Sequence, residues 1–361
     1  EGPLSDWSGS ATAALDGSEI LKLDGRHVQT PDGMHRLTVN GGGGFGSLMP
    51  PALRPMFEGE TKIDIAAAFN DQGLVQVDKA HVTTGALSFA AFGTYDSKGE
   101  NNLKARLAGT NGPVDFRWPL QKGEAQAKIN AVDFSLIGDA QAAILDLAAD
   151  VTSVALPDVA LGAVKLSARS DGFNVQAQSG LVKAAIEVGE AGFNDANLAR
   201  LVQVPMKIDA NLSVTKESIA FNPVTIESPG VGGSLTGAFY RDENTVSAAF
   251  KLFAVPGALP PAAAAKFNGT IALSGEVKTA SDGGVTVEGI ELKSGTIEAA
   301  GTVALAQSNL TADLKGTLPD LGKVLADAKG KAEFTAAVTG PLAELGIKAE
   351  LTSSGATLAG R

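Results

Sequence analysis

The sequence predicts an all-β, elongated repeat array of antiparallel amphipathic strands, and three observations carry that expectation. Glycine occurs 43 times in 361 residues and aromatic residues make up only 5%, so a deep dry core is poorly supplied. Several segments alternate polar and apolar residues with the period of two that belongs to a sheet wet on one face. These segments recur, each after a short stretch of helical pattern.

The alternating segments come in order along the chain. Thr61–Phe69 puts Ile63, Ile65, Ala67 and Phe69 on one side. Met206–Val214 has apolar residues at every even position. Ile271, Leu273 and Val277 repeat the rule, as do Phe334, Ala336 and Val338. Helical stretches at 48–57, 195–202, 256–267 and 318–328 precede them. Gly59, Gly269 and Gly330 stand where a left-handed cap would turn the chain into the strand, whereas the unit at Val204-Pro205 uses proline instead. Later strands recur too: His81 to Gly85 leads to Gly93-Thr94, Thr225 to Ser228 leads to Gly237-Ala238, and Glu291 to Gly295 leads to Gly301-Thr302.

The period is on the order of 60 to 80 residues, with a degenerate unit near 137–154. Approximate units run over 1–47, 48–124, 125–194, 195–255, 256–317 and 318–361, within one elongated repeat fragment. Residues 352–360 begin a further copy and stop, so the chain is expected to be a piece of a longer protein. Turns as short as 70–73, 96–99 and 281–284 join antiparallel neighbours. A parallel β-helix would repeat about every twenty residues, and that period is missing.

Composition excludes several classes of function. A net charge of −11 disfavours nucleic acid as a partner. The chain has no cysteine, and hence no thiolate metal site or disulfide frame. The apolar stretch between Lys251 and Lys266 is interrupted by Pro256, Pro260 and Pro261 and is too short to span a bilayer. Residues 1–7 lack the features of a signal peptide, so any targeting segment is expected outside this sequence. His27, His35 and His81 show no metal-ligand spacing and read as solvated strand or loop histidines. The run from Gly41 to Gly46 lacks the Lys-Ser/Thr ending of a phosphate loop and reads as a flexible turn. The glycosylation triplets at Asn211, Asn268 and Asn309 are assigned nothing. No residues stand in a catalytic arrangement, so neither enzymatic activity nor a metal or cofactor is expected.

A long one-sided sheet must hide its apolar face, and the helical stretches are too short to cover it. The face is expected to curl into a taco-like tube or to remain as a groove. Roughly 18 to 20 strands at about 4.8 Å each would give a sheet on the order of 90 Å long. Its exterior would carry Lys62, Asp64, Lys207, Asp209 and Glu333. Its proposed lining is Ile63, Ile65, Phe69, Leu87, Phe89, Ile208, Leu212, Ile271, Leu273, Leu292 and Phe334, which suits phospholipid acyl chains. The competing structural reading is a closed sandwich in which these residues form a dry core.

The helix-Gly-strand units, as in Leu318 to Phe334, and the Ser-Gly to Gly-Thr strands, as in Ser294-Gly295 to Gly301-Thr302, resemble the periplasmic AsmA-like and TamB proteins over essentially the whole chain. The resemblance is one of texture and period. It implies a protein anchored in the inner membrane by an N-terminal helix absent here, crossing the periplasm to an outer-membrane barrel of the Omp85 class. It also implies a part in phospholipid movement between the membranes and in outer-membrane protein assembly. A second hypothesis is a scaffold whose strand edge pairs with a barrel strand. An adhesin or autotransporter stalk is a third, and a polysaccharide-cleaving enzyme is the weakest, because no acidic cluster can be assigned to one site.

Overall fold

In the computed structural model every backbone ladder among the described residues is antiparallel. The described residues are 3, 5–120, 123–267, 269–324, 327–342 and 344–358. Asn268, positions 325 and 326 of the fourth helical stretch, positions 359 and 360 of the partial last copy, and Glu1, Gly2 and Leu4 lie outside them. The chain divides into two units, Glu1–Gly192 and Phe193–Arg361.

The first unit carries β1 (Asp6–Leu15), β2 (Ser18–Gln29), β3 (His35–Gly43), β4 (Thr61–Phe69), β5 (Leu74–Thr83), β6 (Leu87–Asp96), β7 (Glu100–Gly109), β8 (Val114–Pro119), β9 (Glu124–Asp139), β10 (Ala143–Ala155), β11 (Val159–Phe173) and β12 (Gly180–Phe193). Strands from β1 to β7 pair with their neighbours in chain order. Then β7 and β8 share one edge of β9, β7 along its C-terminal half and β8 along its N-terminal half. The expected degenerate unit falls on the long strands β9 to β12, which no helical piece precedes. A hairpin closed by Asn174 N–H donating to Ser179 O at 2.7 Å links β11 to β12.

The second unit carries β13 (Met206–Val214), β14 (Ser218–Glu227), β15 (Val231–Tyr240), β16 (Thr245–Ala254), β17 (Ile271–Thr279), β18 (Val285–Lys293), β19 (Glu298–Ala306), β20 (Asn309–Leu318), β21 (Ala328–Lys329), β22 (Ala332–Pro341), β23 (Gly346–Thr352) and β24 (Thr357–Leu358). Its ladder runs from β13 to β20 and on through β22 to β23, with β21 and β24 as a small side pair. Among the described residues no ladder joins β1 to β12 or β13 to β23, so neither unit's sheet closes into a barrel. The 24 described strands exceed the expected count because short strands such as β8, β21 and β24 leave no alternation to read.

Short helical pieces interrupt the meander where the sequence places them: Gly46–Leu48 and Arg54–Phe57 before β4, α1 (Ala196–Leu201) before β13, Pro256–Ala258 and α2 (Pro261–Ala264) before β17, and Leu321–Lys323 before β22. Asp195 caps α1 by accepting from the N–H groups of Asn197 and Leu198 at 2.7 and 3.0 Å. Gly59, Gly269 and Gly330 have φ of +77°, +78° and +106°, which only glycine adopts without strain. The Gly41–Gly46 run departs from expectation, because Gly41 to Gly43 belong to β3 and not to a turn. A Cβ at Gly41 or Gly43 would lie within 2.1 Å of a β2 carbonyl oxygen, so the run lets neighbouring backbones approach closely.

A bulge recurs in the second strand of three four-strand sets. Residue pairs Asp78-Lys79 in β5, Asn222-Pro223 in β14 and Glu288-Gly289 in β18 each stand where both neighbouring strands have one residue fewer. The extra residue shifts the alternation by one. Val75 and Val77 before the bulge therefore share a face with Ala80 and Val82 after it. Ile219, Phe221, Val224 and Ile226 follow the same rule, as do Val285, Val287, Ile290 and Leu292.

The chain exposes 20796 Å². Two compact globules sharing its 36.6 kDa equally would together expose about 16,000 Å². Most sheet side chains are accordingly half-buried, not enclosed. Deleting Asn222 should remove the bulge and keep Ile219, Phe221, Val224 and Ile226 on one face of a regular β14, whereas inserting one residue between Val224 and Thr225, where no bulge absorbs it, should force Ile226 or the apolar residues before it onto the polar side. For the insertion a loss of roughly 2 to 4 kcal/mol is expected in urea unfolding, and an unchanged midpoint would show that ladder parity does not set the register.

Candidate functional site: the apolar face

Residues directly opposite in a ladder share a face, so the registers sort every strand position. In the first unit one row crosses ten strands as Ala11, Leu23, Gly41, Ile63, Val82, Phe89, Leu107, Val132, Ala149 and Leu166. No polar side chain interrupts it. In the second unit Leu212, Phe221, Gly237, Ala248, Val277, Val287, Val303, Ala312, Val338 and Ile347 form such a row. Ile208, Ile226, Gly233, Leu252, Leu273, Leu292, Ala299, Gly316, Phe334 and Leu351 form another beside it.

The opposite faces are polar. In the first unit Ser10, Asp24, Asn40, Asp64, His81, Ala90, Arg106, Asp133, Ala148 and Ser167 lie in register. Ion pairs bridge neighbouring strands there, including Lys79 with Asp64, Arg106 with Asp133 at 2.7 Å and Arg169 with Asp146 at 2.9 Å. A hydrogen bond from Lys293 holds the Glu291 carboxyl below its ordinary range, and the same bond raises Lys293. Lys62, Asp64, Lys207, Asp209 and Glu333 all stand on these polar faces.

Each proposed lining residue lies on the apolar face of its own unit: Ile63, Ile65, Phe69, Leu87 and Phe89 in the first, and Ile208, Leu212, Ile271, Leu273, Leu292 and Phe334 in the second. They are not equally accessible. Leu87 and Ile271 are buried at the strand ends near the helical pieces, whereas Phe69 is exposed at the opposite end of β4. Positions such as Leu107, Phe134, Phe250 and Val287 join the same faces without having been singled out. Two apolar-x-apolar triplets separated by a pair that opens with Asp, Glu or Asn, at 75–82, 219–226 and 285–292, are the sequence signal that would have found the bulged strands.

Hydroxyls tie the helical pieces to the sheet. Thr84, Ser228 and Ser294 occupy the turn between the second and third strands of their sets. Each accepts from backbone N–H groups of its own turn, at 2.9 to 3.2 Å. Thr84 Oγ1 also donates to Met56 O at 2.7 Å, and Thr296 Oγ1 donates to Lys266 O at 2.5 Å. Lys323 Nζ donates to Gly295 O at 3.0 Å.

The histidines depart in part from expectation. His81 is exposed on the polar row, but His27 and His35 are half-buried within a stack that runs Trp7, His27, His35, Phe69, with ring centroids 5.9, 5.2 and 5.2 Å apart. His27 Nε2 and His35 Nδ1 share a hydrogen bond of 2.9 Å. The reason is register, since His27 lies opposite Trp7 and Leu37 on the apolar side, and His35 lies opposite Phe69. Asn211 lies within β13 and Asn309 opens β20.

A depression of about 550 Å³ opens on the polar side of the second unit, walled by Glu291, Lys293, Lys315, Glu333 and Glu350 over Gly316 and Ala300. Its charged groups are of both signs, with Glu298 among them, and Thr335 lies opposite Lys315 and Glu350 in the ladders. Among the described residues no group of three or more His, Asp or Glu side chains is placed to hold a metal ion, and no helix is long and apolar enough to cross a membrane.

The Arg106 and Asp133 side chains are 59% and 52% exposed. A double-mutant cycle on this pair should therefore give a coupling of about 0.5 kcal/mol. A value several times larger would mean that water does not reach this face. Comparison of the chain with family models, with curated proteins and with solved structures finds no match.

Proposed function

We propose that the apolar face of each unit carries the acyl chains of phospholipid. On this reading the chain is a periplasmic segment of a TamB- or AsmA-like protein, anchored in the inner membrane elsewhere in its length and serving lipid transport and outer-membrane biogenesis. The observation that carries the reading is the unbroken apolar row across ten strands in each unit, whose larger side chains are mostly half-buried and so still wet. Each methylene moved from water onto such a surface gains up to about 0.8 kcal/mol. A polar opposite face keeps the same sheet in water. The role is passive: a tail is shielded and slides from one row to the next, with no covalent step.

The test is native mass spectrometry and lipid extraction on protein purified from bacterial cells without detergent. Phospholipid should co-purify in reproducible stoichiometry, disappear in Leu212→Asp and Leu273→Asp, and persist in Ser213→Asp on the polar side. Folded protein free of lipid would overturn the reading.

One observation favours a second role, strand-edge scaffolding for an Omp85-class barrel or its substrates. All seven residues of β23 are exposed, with Ile347 at 69% and Leu351 at 53%, and β22 is its one ladder partner among the described residues. Proline substitutions along β23 should then abolish barrel binding and leave the lipid content unchanged. Unaltered binding in those variants would remove the scaffold role.

A further inference from the structure

The second unit has two different rims. Every helical connection lies at the strand ends that include Ala254, Ile271, Leu318 and Ala332. There Leu321 and Val324 fold over the apolar side onto Leu318, Ala332 and Phe334. Ala258, Ile271, Leu321 and Ala332 are all at least nine-tenths buried at this rim.

The opposite strand ends are joined only by tight turns, such as 215–217, 241–244, 280–284 and 307–308, and carry no helical piece. Here Val214, Ile219, Phe239 and Val246 lie in register, followed by Val285, Leu305 and Leu310. All seven are only half-buried. They make an apolar lip, interrupted at Thr279, that carries no helical piece among the described residues.

We propose that amphiphiles enter the second unit over this lip and lie along the strands, with the tail end toward the helical rim and the polar head group at the turn rim. The inference rests on the acyl-chain reading and adds a direction to it. Dimensions support it: the nine residues of β13 span about 27 Å, whereas a single leaflet's hydrocarbon is about 15 Å deep. A tail that starts at Val214 thus ends before it meets α1. The reverse placement would press a hydrated head group against side chains that are already buried, and desolvating it there is unfavourable.

The experiment uses the full chain and two photoactivatable phosphatidylcholines, one carrying its diazirine at the terminal tail carbon and one on the head group, with adducts mapped by mass spectrometry. Tail-end adducts are expected midway along the strands, near Ala210, Val224, Leu235 and Phe250, and head-group adducts in the turns at 215–217, 241–244 and 280–284. Leu305→Glu at the lip should slow lipid uptake about tenfold, since a charge there meets each entering tail. Lys323→Glu at the closed rim should leave uptake unchanged. A reversed or uniform adduct pattern, with lipid still bound, would overturn the direction and spare the acyl-chain reading. Absence of adducts from both probes would overturn the two together.

Discussion

Everything in this protein depends on ladder parity. A strand has a side-chain period of two, so a slip of one residue in any ladder would carry that strand's apolar residues to the solvated side. The rows persist because each exception to parity is itself built in. Where β5, β14 and β18 gain a residue, the pairs Asp78-Lys79, Asn222-Pro223 and Glu288-Gly289 absorb the shift, and the apolar side chains beyond them return to their row. Small residues keep the ladders close: a Cβ at Gly93 or Gly237 would lie within 2.2 Å of a carbonyl oxygen on the next strand.

The same parity explains why a chain with so few aromatic residues folds without a deep core. Each apolar side chain is shielded by its own row and by the rows beside it, and the large side chains remain mostly half-buried. Full burial in the second unit gathers chiefly at one rim, where Leu321, Ala328 and Ala332 meet beneath the helical piece. Hydroxyl and backbone hydrogen bonds from the turns at Thr84 and Thr296 fasten such pieces down. These pieces close an edge and do not cover a face.

The polar faces work by solvation more than by pairing. Their ion pairs are exposed and individually weak, but alternating charges keep the sheet wet on that side and oppose association face to face. Unequal faces and unequal rims are the two asymmetries on which the proposed acyl-chain binding and its direction rest.

The sequence by itself determined the strand alternation, the placement of the four helical stretches and the glycines that end three of them. These are local properties: Ile63, Ile65 and Phe69, or Ile208 and Leu212, fall on one side of any extended strand that holds them. It did not reveal the bulged strands as such, because a shift of parity inside β14 looks like a lapse of pattern until β13 and β15 are seen on either side. Nor did it place His27 and His35, whose surroundings come from Trp7 and Phe69 on neighbouring strands, or the Gly41–Gly43 run, whose close approaches are to β2 and β4. Those features, like the contrast between the closed rim and the open lip, are set by which strands lie side by side, and only the tertiary structure decides that.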